Sequence, residues 1–222
     1  MHVMVVNTKA YQEGTGEKAI KIAKIMEKVG EETGVKMVIA VQHADIYRVA
    51  SNVEIDVFAQ HVDAINYGSH TGWILPEAIK EAGAKGSIIN HSEHRIKVDE
   101  IKDAINALRR NNMISIVCAT DSKVAASLAM LQPDYVAVEP PELIGGDVSV
   151  TRAKPSVVKN AVEGVRKISN AAVLCGAGIK NGDDVRKAVE LGADGILVAS
   201  GVVKARDKEK IIMEMASAMM EK

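Results

Sequence analysis

A glutamate closes an apolar run in this chain, with two prolines and then two glycines behind it. The stretch reads Val138-Glu139-Pro140-Pro141-Glu142-Leu143-Ile144-Gly145-Gly146, and it follows the strand-like run Tyr135–Val138. Paired prolines suit neither a helix interior nor a central strand, so they stiffen the start of a loop, while the glycines free its far end. A carboxylate on a rigid strand beside a loop that can close over it suits general base catalysis with water excluded. The plainer alternative is a solvated carboxylate at the start of a loop.

A second polar cluster ends another apolar run. In Ser87-Ile88-Ile89-Asn90-His91-Ser92-Glu93, His91 has three possible chemical uses: proton donor, electrophile or metal ligand. A structural histidine is the alternative. The remaining candidates His43, His61 and His70 lie in separate segments, and neither His-x-x-x-His nor Cys-x-x-Cys occurs, so no metal is expected. Ser92, Glu93 and Arg95 extend the patch, with Glu93 placed to pair with Lys9 or Arg95. Lys9 stands out among the basic residues only through its place after the first strand, beside Asn7. Two glycine-bearing turns come late, Cys175-Gly176-Ala177-Gly178 and Ala199-Ser200-Gly201. Such turns let backbone N–H groups approach an anion closely, or simply finish a loop.

These residues must be held by the elements around them. Strand-like runs fall at Val3–Val6, Met37–Val41, Val57–Ala59, Gly86–Ile89, Ile114–Cys118, Tyr135–Val138, Ala172–Cys175 and Gly195–Val198. Most are continuously apolar, as in a parallel sheet covered by helices on its outer face. Helical patterns alternate with them. Ile22, Ala23, Met26 and Val29 share one helix face, and the lysines from Lys18 to Lys28 form the solvated one. Further helices are expected over Leu75–Ala82, Val98–Arg110, Asp121–Leu131, Pro155–Ile168, Asp183–Leu191 and Asp207–Met220, the last packed through its methionines. Gly83 and Gly192 stand where helices stop, and Asn181-Gly182-Asp183-Asp184 where one starts.

Eight strand–helix units of roughly 28 residues, with no linker between them, predict one α/β domain over residues 1–222, a closed (β/α)₈ barrel. An open doubly wound sheet is the alternative. In a barrel the C-terminal strand ends form the active mouth. Asn7, Lys9, His91 and Glu139 would converge there, with the two glycine turns after the seventh and eighth strands.

Composition removes other classes. With 28 basic and 29 acidic residues there is no positive excess to attract a polyanion, and 3% aromatic content leaves little for base stacking. Two cysteines, Cys118 and Cys175, make no disulfide framework, so buried thiols are expected. No apolar stretch reaches the length of a membrane span, and Val3–Val6 follow no charged leader, so a cytoplasmic location is expected.

Taken in order, the motifs resemble those of the triosephosphate isomerase family, in its compact archaeal form. Asn7-Thr8-Lys9 is similar to the family's Asn-x-Lys signature. Gly68-Ser69-His70-Thr71-Gly72 resembles its protruding third loop, and Asn90-His91-Ser92-Glu93 its histidine motif. Cys118 stands at the family's cysteine position, and Val138-Glu139-Pro140 with Ile144-Gly145 resembles the catalytic glutamate and lid. The resemblance implies isomerisation of dihydroxyacetone phosphate and D-glyceraldehyde 3-phosphate through an enediolate, without metal or organic cofactor. It implies Glu139 as base, His91 as electrophile and Lys9 as the cation beside the oxyanion. Asn7 would position substrate, and Ser92 and Glu93 would order the network. Gly145, Gly146, Gly176, Ala177, Gly178, Ala199, Ser200 and Gly201 would surround the phosphate. A homo-oligomer follows too, a tetramer ahead of a dimer.

Departures are equally visible. Asp147 stands at the lid's usual last glycine, Glu142 at a tryptophan, Gly178 at a serine, and Ala199-Ser200 at a glycine pair. The alternatives are another phosphate-binding barrel enzyme and a barrel that binds a phosphate ligand without turnover.

Overall fold

Alternating polarity of side-chain direction lets a strand face two cores at once, and here eight strands do so. The structure, a computed structural model, describes residues 2–140, 151 and 155–220. The strands are β1 (Val3–Asn7), β2 (Lys36–Val41), β3 (Asp56–Ala59), β4 (Gly86–Ile89), β5 (Ile114–Ala119), β6 (Tyr135–Val138), β7 (Ala172–Cys175) and β8 (Gly195–Val198). Each pairs in parallel with its successor, and β8 returns to β1 through Val3↔Gly195 and Val6↔Val198. That seam closes the barrel and excludes the open sheet.

Within each strand, one set of residues points into the barrel and the other toward the helices. Val3, Val5, Val38, Phe58, Ile116 and Leu197 belong to the inner cluster, while Met4, Val6, Met37, Ile39 and Val57 belong to the outer one. This double burial explains the unbroken apolar runs. Phe58, the sole phenylalanine, is buried in the inner cluster, where a Cβ on Gly86 would meet its ring at 2.6 Å. The bulk of one strand is thus matched by a missing side chain on the next.

The helices are α1 (Glu17–Thr33), α2 (Ile46–Ala50), α3 (Pro76–Glu81), α4 (Val98–Arg110), α5 (Ser122–Ala129), α6 (Pro155–Arg166), α7 (Gly182–Glu190), α8 (Ser200–Val203) and α9 (Lys208–Met220). In α1, Ile22, Ala23, Met26 and Val29 are fully buried while Lys18, Lys21, Lys24 and Lys28 are exposed. The α5 start is capped by the Asp121 carboxylate, which accepts from the N–H groups of Lys123 and Val124 at 2.8 and 3.0 Å. Asn181 caps α7 by accepting from the N–H of Asp184 at 3.0 Å. Gly83 and Gly192 take left-handed φ values of +100° and +94° after α3 and α7, which ends those helices without strain.

Several expected helices are shorter than read, because terminal apolar residues such as Leu131 and Ile168 lie in turns after the last helical hydrogen bond. In α9, Met215 and Met219 are buried but Met220 is 54% exposed, so the methionines do not all pack inward. The short helices α2 and α8 have too few turns to show a periodic apolar face, and the sequence pattern does not reveal them. No described helix is long and apolar enough to cross a membrane.

Candidate active site

The barrel brings β1, β4 and β6 around one mouth, and their C-terminal ends carry the polar groups. Asn7, the last residue of β1, is buried, and its Oδ1 accepts from the Lys9 N–H at 2.9 Å. That turn puts Lys9 at φ +49°, a conformation disfavoured for a residue with a Cβ. The Gln60 amide braces it by donating to the Lys9 carbonyl at 3.0 Å and to Asn7 Oδ1 at 3.2 Å. Strain held in place by surrounding bonds is common where a side chain must be aimed. The Lys9 ammonium is 2.7 Å from Glu93 Oε1, with its side chain only 10% exposed. Of the two partners read for Glu93 from the sequence, Lys9 and Arg95, the structure shows the ion pair with Lys9.

His91 is aimed by the residue before it. Asn90 adopts φ +59°, its amide donates to the Cys118 carbonyl at 3.0 Å, and its Oδ1 accepts from the Ile96 N–H at 3.2 Å. These bonds tie the turn after β4 to β5. The His91 Nδ1 accepts from the backbone N–H of Glu93 at 3.2 Å. The Glu93 carboxylate lies at 3.6 Å from the same nitrogen, too far for a hydrogen bond, so the backbone donor decides the tautomer. With Nδ1 accepting, the proton of the neutral ring sits on Nε2. That Nε2 lies 3.6 Å from Glu139 Oε1.

Glu139 is 3% exposed and follows β6, its backbone N–H donating to the Ala119 carbonyl at 2.8 Å. Its Oε2 is buried with no hydrogen-bond partner among the described residues. A buried carboxylate oxygen left unpaired is costly, and so calls for a functional explanation. Gly176 supplies the space for this side chain, since a Cβ there would collide with Glu139 Cγ. The Cys118 thiol is pushed well above the usual thiol range, first by burial and then by the Glu139 charge and a hydrogen bond to it. Burial also pushes Cys175 up to about 12, against a lowering hydrogen bond from the Ala177 backbone. Both thiols are free, buried and protonated at neutral pH, so neither is an active nucleophile.

These groups line one cleft. Asn7, Lys9, His91 and Glu139 line it together with Gly176, Gly178, Ala199 and Ser200, and Gly176 lies directly against the Glu139 side chain. Glu93 borders a neighbouring pocket with Lys9 and His91. Ala177 is fully buried beneath the turn and does not line the cleft. Gly201 does not line it either; a Cβ there would meet the Ile179 carbonyl at 2.7 Å, so its role is to let two loops touch. Ser92 is half-buried and outside the cleft wall. Gly145 and Gly146, with the rest of the expected lid beyond Pro140, lie outside the described residues. Tyr11, Ile179, Lys180, Leu197 and Val198 also line the cleft and escaped the sequence reading. Tyr11 is two residues past Lys9 on the same loop, and nothing in its type or spacing sets it apart from a packing aromatic. Among the described residues no three His, Cys, Asp or Glu side chains are grouped to hold a metal.

A closed parallel barrel whose strand ends bring a buried carboxylate, an imidazole with Nε2 left to donate, a lysine and glycine turns into one cleft defines a barrel enzyme. A family model described as triosephosphate isomerase matches residues 2–215, and the chain belongs to that family of triose phosphate isomerases. Among curated relatives, the triosephosphate isomerase of Methanothermus fervidus is 52% identical over 218 residues, covering 98% of each chain. That of Methanocaldococcus jannaschii is 48% identical over 214 residues, covering 96% of this chain and 98% of the relative. A crystal structure of triosephosphate isomerase from Bartonella henselae shares the fold, with a TM-score of 0.76 at 18% identity over 99% of both chains.

Proposed function

We propose that the interconversion of dihydroxyacetone phosphate and D-glyceraldehyde 3-phosphate runs on three side chains, Glu139, His91 and Lys9. The observation that carries this reading is the hydrogen bond from the Glu93 N–H to His91 Nδ1, which leaves Nε2 to donate, 3.6 Å from the Glu139 carboxylate. Glu139 removes a proton from the carbon beside the substrate carbonyl and returns it to the neighbouring carbon. The Nε2–H donates to the carbonyl oxygen as charge develops on it, and Lys9 adds a positive charge there. Asn7 Oδ1 is taken up by the Lys9 N–H and Gln60, so its amide nitrogen is the atom available to substrate. Backbone N–H groups of Gly178, Ala199 and Ser200 hold the phosphate, with Gly145 and Gly146 closing over it and Gly201 packing the turn behind. Water exclusion keeps the enediolate from shedding its phosphate. No metal or organic cofactor takes part in this scheme, because the proton moved is already acidified by the adjacent carbonyl.

The reading extends to context. Residues 1–222 act as one barrel domain, in the cytoplasm, as a homotetramer; the exposed Tyr67 and Trp73 flanking the protruding loop Gly68–Gly72 support self-association. A coupled assay for glyceraldehyde 3-phosphate, run beside Glu139→Gln, tests the core of the scheme. The amide variant should lose at least roughly a thousandfold in kcat, as for a base acting in the transition state. A variant within tenfold of the parent would remove Glu139 from that role.

A further inference from the structure

One aromatic side chain in the cleft has no part in the scheme above. Tyr11 lines the cleft together with Gly178, Ile179, Lys180, Ala199 and Ser200, on the loop after β1 that also carries Lys9. Its backbone is fixed on both sides: the N–H donates to the Thr8 carbonyl at 3.3 Å, and its own carbonyl accepts from the Gly14 N–H and the Thr15 hydroxyl, both at 2.9 Å. Its ring has a partner as well. The Lys204 ammonium, just past α8, sits 4.2 Å from the ring centroid in a cation–π contact. Close packing joins the same two segments, because a Cβ on Gly14 would meet Val203 Cγ1 at 3.1 Å. The phenol hydroxyl makes no hydrogen bond within the described residues. A ring covered by Lys204 with an uncommitted O–H, in the same cleft as Gly178, which offers no side-chain donor, is a ready donor to an anion.

We infer that Tyr11 is a phosphate ligand of this enzyme, its hydroxyl donating to the substrate phosphate while Lys204 holds the ring in place. The inference rests on the reading that the Gly178–Ser200 end of the cleft takes the phosphate. Tyr11→Phe tests it cleanly, since it keeps the ring, the packing and the cation–π contact and removes only the O–H. A hydrogen bond to a charged phosphate is made in both the ground and transition states, so its loss should raise KM with kcat nearly unchanged. The expected rise in KM for glyceraldehyde 3-phosphate is about tenfold or more, with a similar rise in the competitive inhibition constant of inorganic phosphate. Lys204→Met should raise the same two constants by a smaller factor in the parent and leave them unchanged in the Tyr11→Phe background. If phosphate inhibits the parent competitively and Tyr11→Phe leaves both constants within twofold, the inference is overturned and the phosphate end stands without Tyr11. If phosphate does not compete with substrate in the parent, the assignment of the phosphate end and this inference fall together.

Discussion

At the scale of single residues, the site depends on what is absent beside Glu139 as much as on the carboxylate. Gly176 sits in ordinary backbone conformation, so alanine fits its dihedrals but not its surroundings, where the new methyl group would overlap Glu139 Cγ. Gly176→Ala should therefore fold and should displace the base. A shift of about 1 Å in a reacting group can cost on the order of a hundredfold in rate, so kcat should fall by that order. Inorganic phosphate inhibition should stay close to parent values; steady-state kinetics with and without phosphate would report both. An unchanged kcat would mean that Glu139 has room to move without penalty. Placement in the cleft was legible in sequence where type and position spoke together, as for Glu139 before two prolines and His91 at the end of an apolar strand. Tyr11 was not, because an aromatic residue in a loop resembles packing until a cleft is built around it.

At the scale of elements, the turns that aim these groups are held by short polar networks. His61 and His94 stack at 4.2 Å between centroids, beside the mouth. The groups facing His61 are Asp63, whose Oδ1 lies 3.1 Å from its Nε2, and the rings of His94 and His43. Burial comes first in holding its pKa below the usual value, assisted by the neighbouring histidines and opposed by Asp63. The folded protein therefore binds fewer protons here than the unfolded chain. The contribution is intact above the unfolded histidine value of about 6.5 and is lost as pH falls through the depressed folded value. Urea unfolding at successive pH values from about 6.5 downward should show falling stability until the folded value is passed, and His61→Gln should flatten that slope. An equal slope in both proteins would place the acid sensitivity elsewhere. A second test at this scale concerns the α5 cap. Asp121→Ala should destabilise by about 1 kcal/mol through loss of the two backbone N–H bonds, read as a lowered urea midpoint at unchanged m-value. Element order was visible in sequence because a strand buried on both faces writes an unbroken apolar run. The short α2 and α8 were not, and α8 matters, since Ser200 at its start lines the cleft.

At the scale of the whole molecule, the inner cluster is small and depends on few large side chains. Phe58 is its largest member, matched to the space over Gly86. Phe58→Ala should cost about 3–5 kcal/mol, the range for emptying a buried aromatic site, and a loss below about 1 kcal/mol by urea unfolding would show that the barrel interior can collapse into the space. Self-association is tested by deleting Gly68–Gly72, which should leave a weakly active monomer by light scattering; an unchanged assembly would discount that loop.

The seam between β1 and β8 has a consequence for how this protein comes into being. Val3 meets Gly195, so the strand that carries Asn7 toward the mouth finds its last neighbour almost at the far end of the chain. Synthesis delivers Val3 long before Gly195, and no nascent fragment that stops short of β8 contains both sides of the cleft. Catalytic competence should therefore appear late and all at once as the chain leaves the ribosome, rather than growing with each strand added.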